Sequence, residues 1–361
     1  MQTLPVVLVA VAAIGAAMPA RGGIFDDVGT GGPAGYRFDP PARSRAMGGA
    51  SGAVFWGDLD GWSNPAVLGL AHGLRYEKET TDIPLGFEYE ARRSVLGWGG
   101  LGIALAGRPF AGMGGLGLTG DLTIESSLGP PLILQVDEEV ESWSVGASVS
   151  NLATTIAEVR GGRPPAFTRF ADLALGIARK DVRGSSDPFV EPAIDWGLLV
   201  RTGADFTALA SQCRIDLAYG YAMQNADGGG DRPHRHGTAL RFAIDPPAFS
   251  NRRASLALQP LFSLGGAWDR VLVTSDGRRI GDEARLGVEI SLANVAFIRF
   301  GEGPRGGVST SGFGFALPIG HLARVRYDHA RTEIGVLPDT TTDGWSVWLD
   351  PIAIADAWGR D

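Results

Sequence analysis

Short segments in which apolar residues alternate with small or polar ones recur between Gly73 and Asp350, and this pattern constrains the fold more than any other feature. In residues 142–150, Trp143 and Val145 begin an apolar row that alternates with serines and Gly146. Side chains of a β-strand point alternately to its two faces, so a period of two indicates strands with one apolar face. The pattern predicts an all-β chain with no amphipathic helix between residues 73 and 350.

The same alternation predicts further strands, with one apolar face and one small or polar face each. Loops are expected between them, the longest near residues 181–192, 224–236 and 266–282. The predicted strands are Asp172–Arg179, Ile194–Arg201, Cys213–Met223, Thr238–Asp245, Leu256–Leu264, Arg285–Leu292, Phe313–Leu317 and Ala323–His329.

The alternation fits either a soluble β-sandwich with its apolar face inward or a membrane β-barrel with its apolar face outward. After the N-terminus no apolar run reaches the roughly 18 residues that a membrane helix needs, so any spanning is by strands. Isolated charges on the polar faces suit a lumen. Tryptophans near the expected strand ends favour the barrel because aromatic girdles mark both membrane interfaces; these are Trp98, Trp143, Trp196, Trp268 and Trp345.

Arithmetic gives the size of the barrel. Residues 73–350 provide 278 positions, and a strand with its connection takes about 20 residues, so we expect about 14 antiparallel transmembrane strands. A lumen of that width needs filling. The 53 glycines among 361 residues are about twice ordinary usage, and the Gly-rich residues 21–72 are the expected N-terminal plug.

The first twenty residues predict export. An apolar core from Leu4 to Met18 precedes small residues around Ala20 that suit cleavage of a signal peptide. The expected organisation is therefore a signal peptide at 1–20, a plug at 21–72, a β-barrel at 73–350 and a C-terminal tail at 351–361. The expected location is the outer membrane of a bacterium.

Two stretches of the plug carry a resemblance to a known family. Residues 43–50 read RSRAMGGA and residues 62–68 read WSNPAVL. This combination resembles the N-terminal signature of FadL-type outer-membrane barrels, and of the PorV/PorQ group in particular. The resemblance puts a plug or hatch motif on six residues, which are Arg45, Gly48, Gly49, Asn64, Pro65 and Ala66.

A second stretch, from Ala284 to Asp328, is similar to the last hairpins of the PorV/PorQ group. It places charges on the polar faces of strands, where we expect them to line the lumen and to pair with one another rather than to contact substrate. These predicted lumen charges are Arg285, Glu289, Arg299, Arg326 and Asp328.

The resemblance implies two functions of different classes. FadL-type proteins imply passage of a hydrophobic small molecule through a plugged barrel. The PorV likeness implies a docking or anchor component for secreted or surface-attached proteins, of the type IX secretion kind. The expected partners are outer-membrane lipid and either a hydrophobic ligand or protein cargo. A soluble periplasmic β-protein is the third alternative.

The sequence shows no pattern of catalysis, so we expect no enzyme, no cofactor and no metal. His234 and His236 form the one local histidine pair, but glycines and Pro233 around them predict an exposed loop without further ligands. Cys213 lies on the apolar face of its strand, where a thiol is inert. A net charge of -8 without a basic stripe argues against nucleic acid.

Overall fold

A computed structural model describes the chain from residue 41 to residue 358 with gaps. Most of the described chain is one antiparallel β-sheet. The predicted signal peptide, residues 21–40 of the predicted plug and the last three residues of the tail lie outside the described residues. Those described are 41–57, 59, 61–83, 87–106, 115–124, 132–183, 192–208, 211–226, 232–245, 260–275, 278–303, 308–320, 322–334 and 339–358.

Fifteen strands form this sheet. In chain order they are β1 Gly73–Ile83, β2 Phe87–Trp98, β3 Leu101–Ala106, β4 Gly115–Ile124, β5 Leu132–Ser148, β6 Ala171–Arg183, β7 Ala193–Ala208, β8 Ser211–Met223, β9 Arg232–Asp245, β10 Phe262–Ser275, β11 Arg278–Leu292, β12 Ala296–Glu302, β13 Val308–Ile319, β14 Ala323–Ile334 and β15 Thr340–Leu349.

Antiparallel pairing runs around the sheet, and the pairing of β1 with β15 closes it into a barrel. β3 pairs with the second half of β2 and β4 with its first half, while both pair with β5. β3 and β4 therefore share one position, so that fifteen strands make 14 positions. This confirms the predicted antiparallel barrel of about 14 strands. We call the end where β1 begins and β15 ends the base, and the opposite end the rim.

Three α-helices and two 3-10 helices accompany the described strands. α1 (Ala42–Ala46) and η1 (Pro65–Leu70) precede the barrel, and α3 (Pro351–Trp358) follows it. α2 (Val149–Val159) and η2 (Ala166–Arg169) connect β5 to β6 at the base. In the described part of the chain no helix is both long and apolar enough to cross a membrane.

Helix α2 corrects the prediction that residues 73–350 contain no amphipathic helix and that a strand runs to Ser150. The Ser148 hydroxyl accepts a hydrogen bond from the backbone N–H of Asn151 at 3.1 Å. This N-cap satisfies one of the free N–H groups that begin a helix. Apolar residues then follow at helical spacing, so the strand ends and the helix starts at Ser148.

Of the predicted loops, one is wrong and another is too long. Residues 266–282 belong almost entirely to the β10–β11 hairpin, in which only residues 276 and 277 lie between the strands, and β9 already begins at Arg232. The polar residues that suggested loops instead pair with each other on the outer face near the rim: Arg270 Nη2 lies 2.8 Å from Asp282 Oδ2. These strands extend past the apolar belt.

The outer face of the barrel is apolar around its circumference. Large hydrophobic side chains stand exposed on it, including Leu96, Trp98, Ile103, Trp143, Leu175, Trp196, Leu217, Ile290, Phe300, Phe315, Leu317 and Trp345. A soluble monomer rarely exposes an apolar patch of more than a few hundred Å². This arrangement is the one that lipid requires of a closed barrel, because closure also satisfies every backbone group.

The inner face holds small residues where the chain before β1 passes through the barrel. An unbroken row of glycines crosses five neighbouring strands in direct register. We call it the glycine row; its members are Gly97, Gly102, Gly146, Gly176 and Gly197. A Cβ at any of them would come closer than 3.0 Å to residues 64–71, so the high glycine content serves close backbone approach.

Candidate functional site

The described residues between 41 and 72, which we call the inner segment, fill the middle of the barrel. Most of their buried apolar side chains form one cluster with small wall residues such as Ala174, Ala218 and Ala267 and with Leu199, and the others form two smaller clusters with the wall. Several buried charged side chains of the wall bind the inner segment as well. The candidate functional site is this contact between segment and wall.

One buried carboxylate, that of Glu289 on β11, joins the inner segment to the wall. It accepts hydrogen bonds from Arg43 Nε at 2.8 Å, from Arg299 Nε at 2.7 Å and from Trp56 Nε1 at 2.9 Å. Arg43 also donates to the backbone carbonyl of Trp56 at 2.6 Å. A buried carboxylate is tolerated only when it is paired and hydrogen-bonded. Arg43 of α1 therefore supplies a charge that the wall needs.

The network continues along the wall to Asp328 on β14. Arg299 Nη1 lies 2.7 Å from Asp328 Oδ1, and Arg326 Nε lies 2.6 Å from Asp328 Oδ2. The guanidinium carbon of Arg326 lies 4.3 Å from the ring centroid of Phe297, a cation–π distance. Four of the five predicted lumen charges, Glu289 among them, thus lie in one network.

Arg285, the fifth predicted lumen charge, has a different partner. Its Nη2 lies 3.0 Å from Glu283 Oε2, two positions earlier on the same strand face. A Cβ at Gly49 would meet its guanidinium group. Arg285 therefore supports the turn after α1 rather than the Glu289 network.

A second carboxylate, that of Asp269 on β10, binds the turn of the inner segment directly. It accepts from the backbone N–H groups of Ser51 at 2.9 Å and Gly52 at 2.8 Å. Arg235 Nη1 lies 3.2 Å from Asp269 and donates to the carbonyl of Gly49 at 3.0 Å. Both side chains are buried, and neither was predicted from the sequence.

The start of α1 is bound by a third carboxylate, that of Glu79 on β1. Its Oε1 accepts from the backbone N–H of Ala42 at 2.7 Å, and its Oε2 pairs with Arg93 at 2.7 Å. A carboxylate beside the first turn of a helix satisfies an N–H group that has no partner within the helix. Glu79 was not predicted either, because polar residues occupy both faces of β1 and do not show which face is turned inward.

The first half of the predicted plug motif forms the turn after α1. Gly48 and Gly49 have φ values of 66° and 78°, a region that favours glycine. The N–H of Gly48 donates to Thr310 Oγ1 at 2.9 Å, and a Cβ there would overlap the backbone of Glu302. Arg45 lies in α1 and is partly buried.

The second half of the motif begins η1. The side chain of Asn64 accepts from the N–H of Ala66 at 3.1 Å and donates to the carbonyls of Gly52 at 2.8 Å and Leu198 at 3.1 Å. Pro65 is the first residue of η1, where its missing N–H costs nothing. Asn64 therefore joins two turns of the inner segment to β7, and its placement is structural.

A buried ion pair between Lys180 and Asp195 lies in the wall on the glycine side. Lys180 Nζ lies 2.7 Å from Asp195 Oδ2 and 4.1 Å from the ring centroid of Trp62. Both charged side chains are almost fully buried. Lys180 also donates to the backbone carbonyl of Trp62 at 3.5 Å, so it contacts both the ring and the backbone of this residue of the inner segment.

Two cavities border the inner segment, and Leu59 lines both of them. The inner cleft, of about 40 Å³, lies mostly within the segment and is also lined by Glu77 and Asp328 of the wall. The base pocket, of about 230 Å³, opens between the segment and the ends of β1, β14 and β15. Arg75 lines the base pocket, donates to the carbonyl of Leu59 at 2.9 Å and lies 3.4 Å from Glu77. Leu59 and this ion pair separate the two cavities.

The histidine pair lies on the outer face. β9 carries both residues, so the loop predicted there is wrong; Tyr221 Oη lies 2.8 Å from His234 Nδ1, and Tyr219 Oη lies 2.9 Å from His236 Nδ1. Cys213 is a free thiol in β8. Within the described ranges, no group of three or more histidine, cysteine or acidic side chains is arranged to hold a metal ion.

No protein-family model and no curated protein matches this sequence. Among solved structures, the Pseudomonas putida toluene transporter TodX is similar at 11% identity with a TM-score of 0.36, over 84% of this chain and 96% of TodX. Outer membrane phospholipase A from Escherichia coli is similar at 16% identity and 0.33, over 59% of this chain and 78% of that one.

An anion-selective porin from Comamonas acidovorans is similar at 9% identity with a TM-score of 0.30, over 77% of this chain and 97% of the porin. The barrel assignment does not depend on these similarities, since the strand pairing of the chain itself closes the ring. Membership of the PorV/PorQ group stays a prediction.

Proposed function

We propose that this protein is a bacterial outer-membrane barrel of the FadL-like PorV/PorQ type that lets small hydrophobic molecules cross the membrane under the control of its inner segment. The apolar exterior supports insertion in lipid. The predicted signal peptide supports export to the outer membrane, where bacterial single-chain barrels of even strand number reside.

The observation that carries the transport proposal is the position of Leu59 between the two cavities. The base pocket, of about 230 Å³, has room for a small solute, and Leu59 lines both this pocket and the inner cleft, so a solute that enters at the base meets Leu59. The cleft beyond has apolar lining from Met47, Val54 and Val67. Passage therefore requires Leu59 and the residues around it to shift, which makes the inner segment a gate.

The test is uptake of an apolar dye. Cells expressing the protein take up N-phenyl-1-naphthylamine, which fluoresces once it reaches the bilayer behind the outer membrane. We expect Leu59→Ala to speed uptake, because it widens the partition, and Leu59→Trp to slow it. Leu70→Ala is the matched control, since Leu70 lines only the base pocket.

Equal uptake rates for the Leu59 variants and the parent, at equal amounts of folded barrel in the membrane, would refute transport through the lumen. Folded barrel is measured by heat-modifiable gel mobility, which is independent of uptake.

A second function is favoured by the tight fit of the inner segment. The glycine row and three buried carboxylates hold the inner segment against the wall on both sides of the lumen. A permanently closed barrel suits a docking platform for secreted or surface-attached proteins. Affinity purification of the parent after surface crosslinking distinguishes the two: a defined secreted protein recovered in stoichiometric amount, together with dye uptake unaffected by Leu59 variants, would replace transport by docking.

A further inference from the structure

The connection between β5 and β6 lies at the base and carries helices outside the sheet. We call residues 149–170 the base arm; it contains α2 and η2. One flank of α2 packs on the barrel end: Asn151 Nδ2 donates to the carbonyl of Gly69 at 3.3 Å, and the N–H of Ser148 donates to the carbonyl of Gly100 at 2.7 Å. The arm is thus held at a fixed height on the barrel.

The other face of α2 is apolar. Val149, Leu152, Ile156 and Val159 follow one another at spacings of three and four residues, which place them on one side of a helix. Ile156 is 50% exposed and Val159 is 79% exposed. An amphipathic helix normally buries this face, so the described chain leaves it without a covering element.

The arm continues the apolar belt of the barrel. Phe167 and Phe170 are exposed at its end, and β6 then carries Leu173 and Leu175 exposed on the outer face. On its other side α2 packs against the β2–β3 turn, which directly follows the exposed Trp98. Exposed aromatic residues at the edge of an apolar belt mark the interface between lipid and water.

The charge of the arm is opposite to that of the whole chain. Arg160, Arg163 and Arg169 against Glu158 give the arm a net charge of three minus one, or +2, whereas the chain carries -8. All three arginines are exposed. An apolar helix face with phenylalanines and flanking arginines is the composition of segments that lie in the interface of an anionic membrane.

We propose that the base arm lies in the headgroup region of the leaflet at the base, with the apolar face of α2 among the acyl chains and its three arginines on anionic phospholipid headgroups. The arm then fixes how deeply the barrel sits in the membrane. This depends on the barrel being in lipid and not on whether its lumen conducts anything.

The test places a fluorescent probe on each face of α2 in the full-length protein. Cys213 is the single cysteine, so Cys213→Ser provides a background for Val159→Cys and, as matched control on the polar side, Glu158→Cys. Each is labelled with an NBD dye and inserted into vesicles of phosphatidylcholine with or without phosphatidylglycerol. Both sites are exposed, so neither change disturbs packing.

In phosphatidylglycerol vesicles we expect emission from position 159 to shift to the blue and to be quenched by lipids that carry a nitroxide near the headgroup. Emission from position 158 should stay close to that in water. Emission from position 159 that matches position 158 in every vesicle would overturn the proposal, as would a blue shift that appears only when protein extract is added.

The charge of the arm is tested separately with Arg160→Gln, Arg163→Gln and Arg169→Gln. Each arginine near an anionic surface is expected to strengthen partitioning about fivefold, so the triple variant should lose most of the difference between the two kinds of vesicle. A triple variant that keeps the full phosphatidylglycerol effect would contradict the binding of these arginines to anionic headgroups.

Discussion

The two sides of the lumen bind the inner segment through different kinds of interaction. On the side of β2 to β7, the glycine row lets the backbone of η1 lie directly on the wall. On the side of β9 to β15 and β1, carboxylates of Glu79, Asp269 and Glu289 bind α1 and the turn that follows it. Close backbone contact dominates on the first side, whereas the second side combines such contacts, at glycines such as Gly287 and Gly301, with buried carboxylates that bind the inner segment.

This difference predicts different failures. A side chain added to the glycine row should displace η1 from the wall on that glycine side, whereas the loss of a buried charge on the other, charged side should release α1 and the turn that follows it. Local opening of each side is measured by maleimide labelling of one buried cysteine in the Cys213→Ser background. Ser44→Cys reports on the charged side and Val67→Cys on the glycine side, because both residues are buried in the parent.

The largest effect is expected from Glu289→Gln. The change leaves Arg43 and Arg299 buried against a neutral amide, and removing one partner of a buried ion pair costs about 3–5 kcal/mol. Urea unfolding in detergent micelles should show that loss of the free energy of unfolding. Maleimide labelling at position 44 should rise at a clearly lower urea concentration than labelling at position 67.

Glu333→Gln is the control for this change. Glu333 pairs with Arg331 at 3.5 Å on the exposed rim of β14, where an ion pair contributes about 0–1 kcal/mol. Equal losses for both variants would show that burial of the Glu289 network contributes nothing, and the charged side would no longer differ from the surface.

Gly102→Ala is expected to have the next largest effect. A Cβ there would overlap the carbonyl of Leu68, and overpacking of a filled interior costs about 1–3 kcal/mol. Labelling at position 67 should rise before position 44, the reverse order of the previous variant. Gly266→Ala is the control, because a Cβ at that strand glycine would meet nothing within 4 Å; similar behaviour of the two variants would contradict the close contact.

The sequence predicts the barrel well and the wall contacts only in part. Alternation and length are properties of single strands, so they give the strand count and the outward apolar face. The pairing of Glu289 with Arg299 was predicted, because these residues share the polar faces of β11 and β12 with Gly287 and Gly301.

Asp269 was missed for a physical reason. Its strand leads into the polar run at residues 274–279, which reads as a loop. Composition cannot show that charges such as Arg270 and Asp282 pair across a hairpin beyond the apolar belt. The direct register of the glycine row is equally invisible in the sequence, since it depends on the stagger between five strands rather than on any one of them.

A smaller effect is expected from Asn64→Ala. Asn64 joins the turn at Gly52 to β7 through its side-chain amide. Loss of the cap on η1 costs about 0.5–2 kcal/mol. Asn64→Ser keeps an oxygen acceptor for the N–H of Ala66 and should recover part of that free energy of unfolding. Maleimide labelling at position 67 should be greater in Asn64→Ala than in Asn64→Ser. An alanine variant as stable as the parent would show that η1 needs no cap once the glycine row holds it.

The smallest effect is expected from Arg270→Ala, which repeats the chemistry of the charged side on the outer face. Arg270 pairs with Asp282 through two hydrogen bonds of 2.9 and 2.8 Å, as good a geometry as that of Arg43 with Glu289. Because both side chains are more than a third exposed, the loss should be about 0–1 kcal/mol and should disappear at high salt. The loss from Glu289→Gln should persist in the same salt, since the pair it breaks is shielded from ions. If urea unfolding at low and high salt shows the two variants responding alike, geometry rather than burial governs these pairs, and the charged side of the lumen holds the inner segment no more firmly than the rim holds its hairpins.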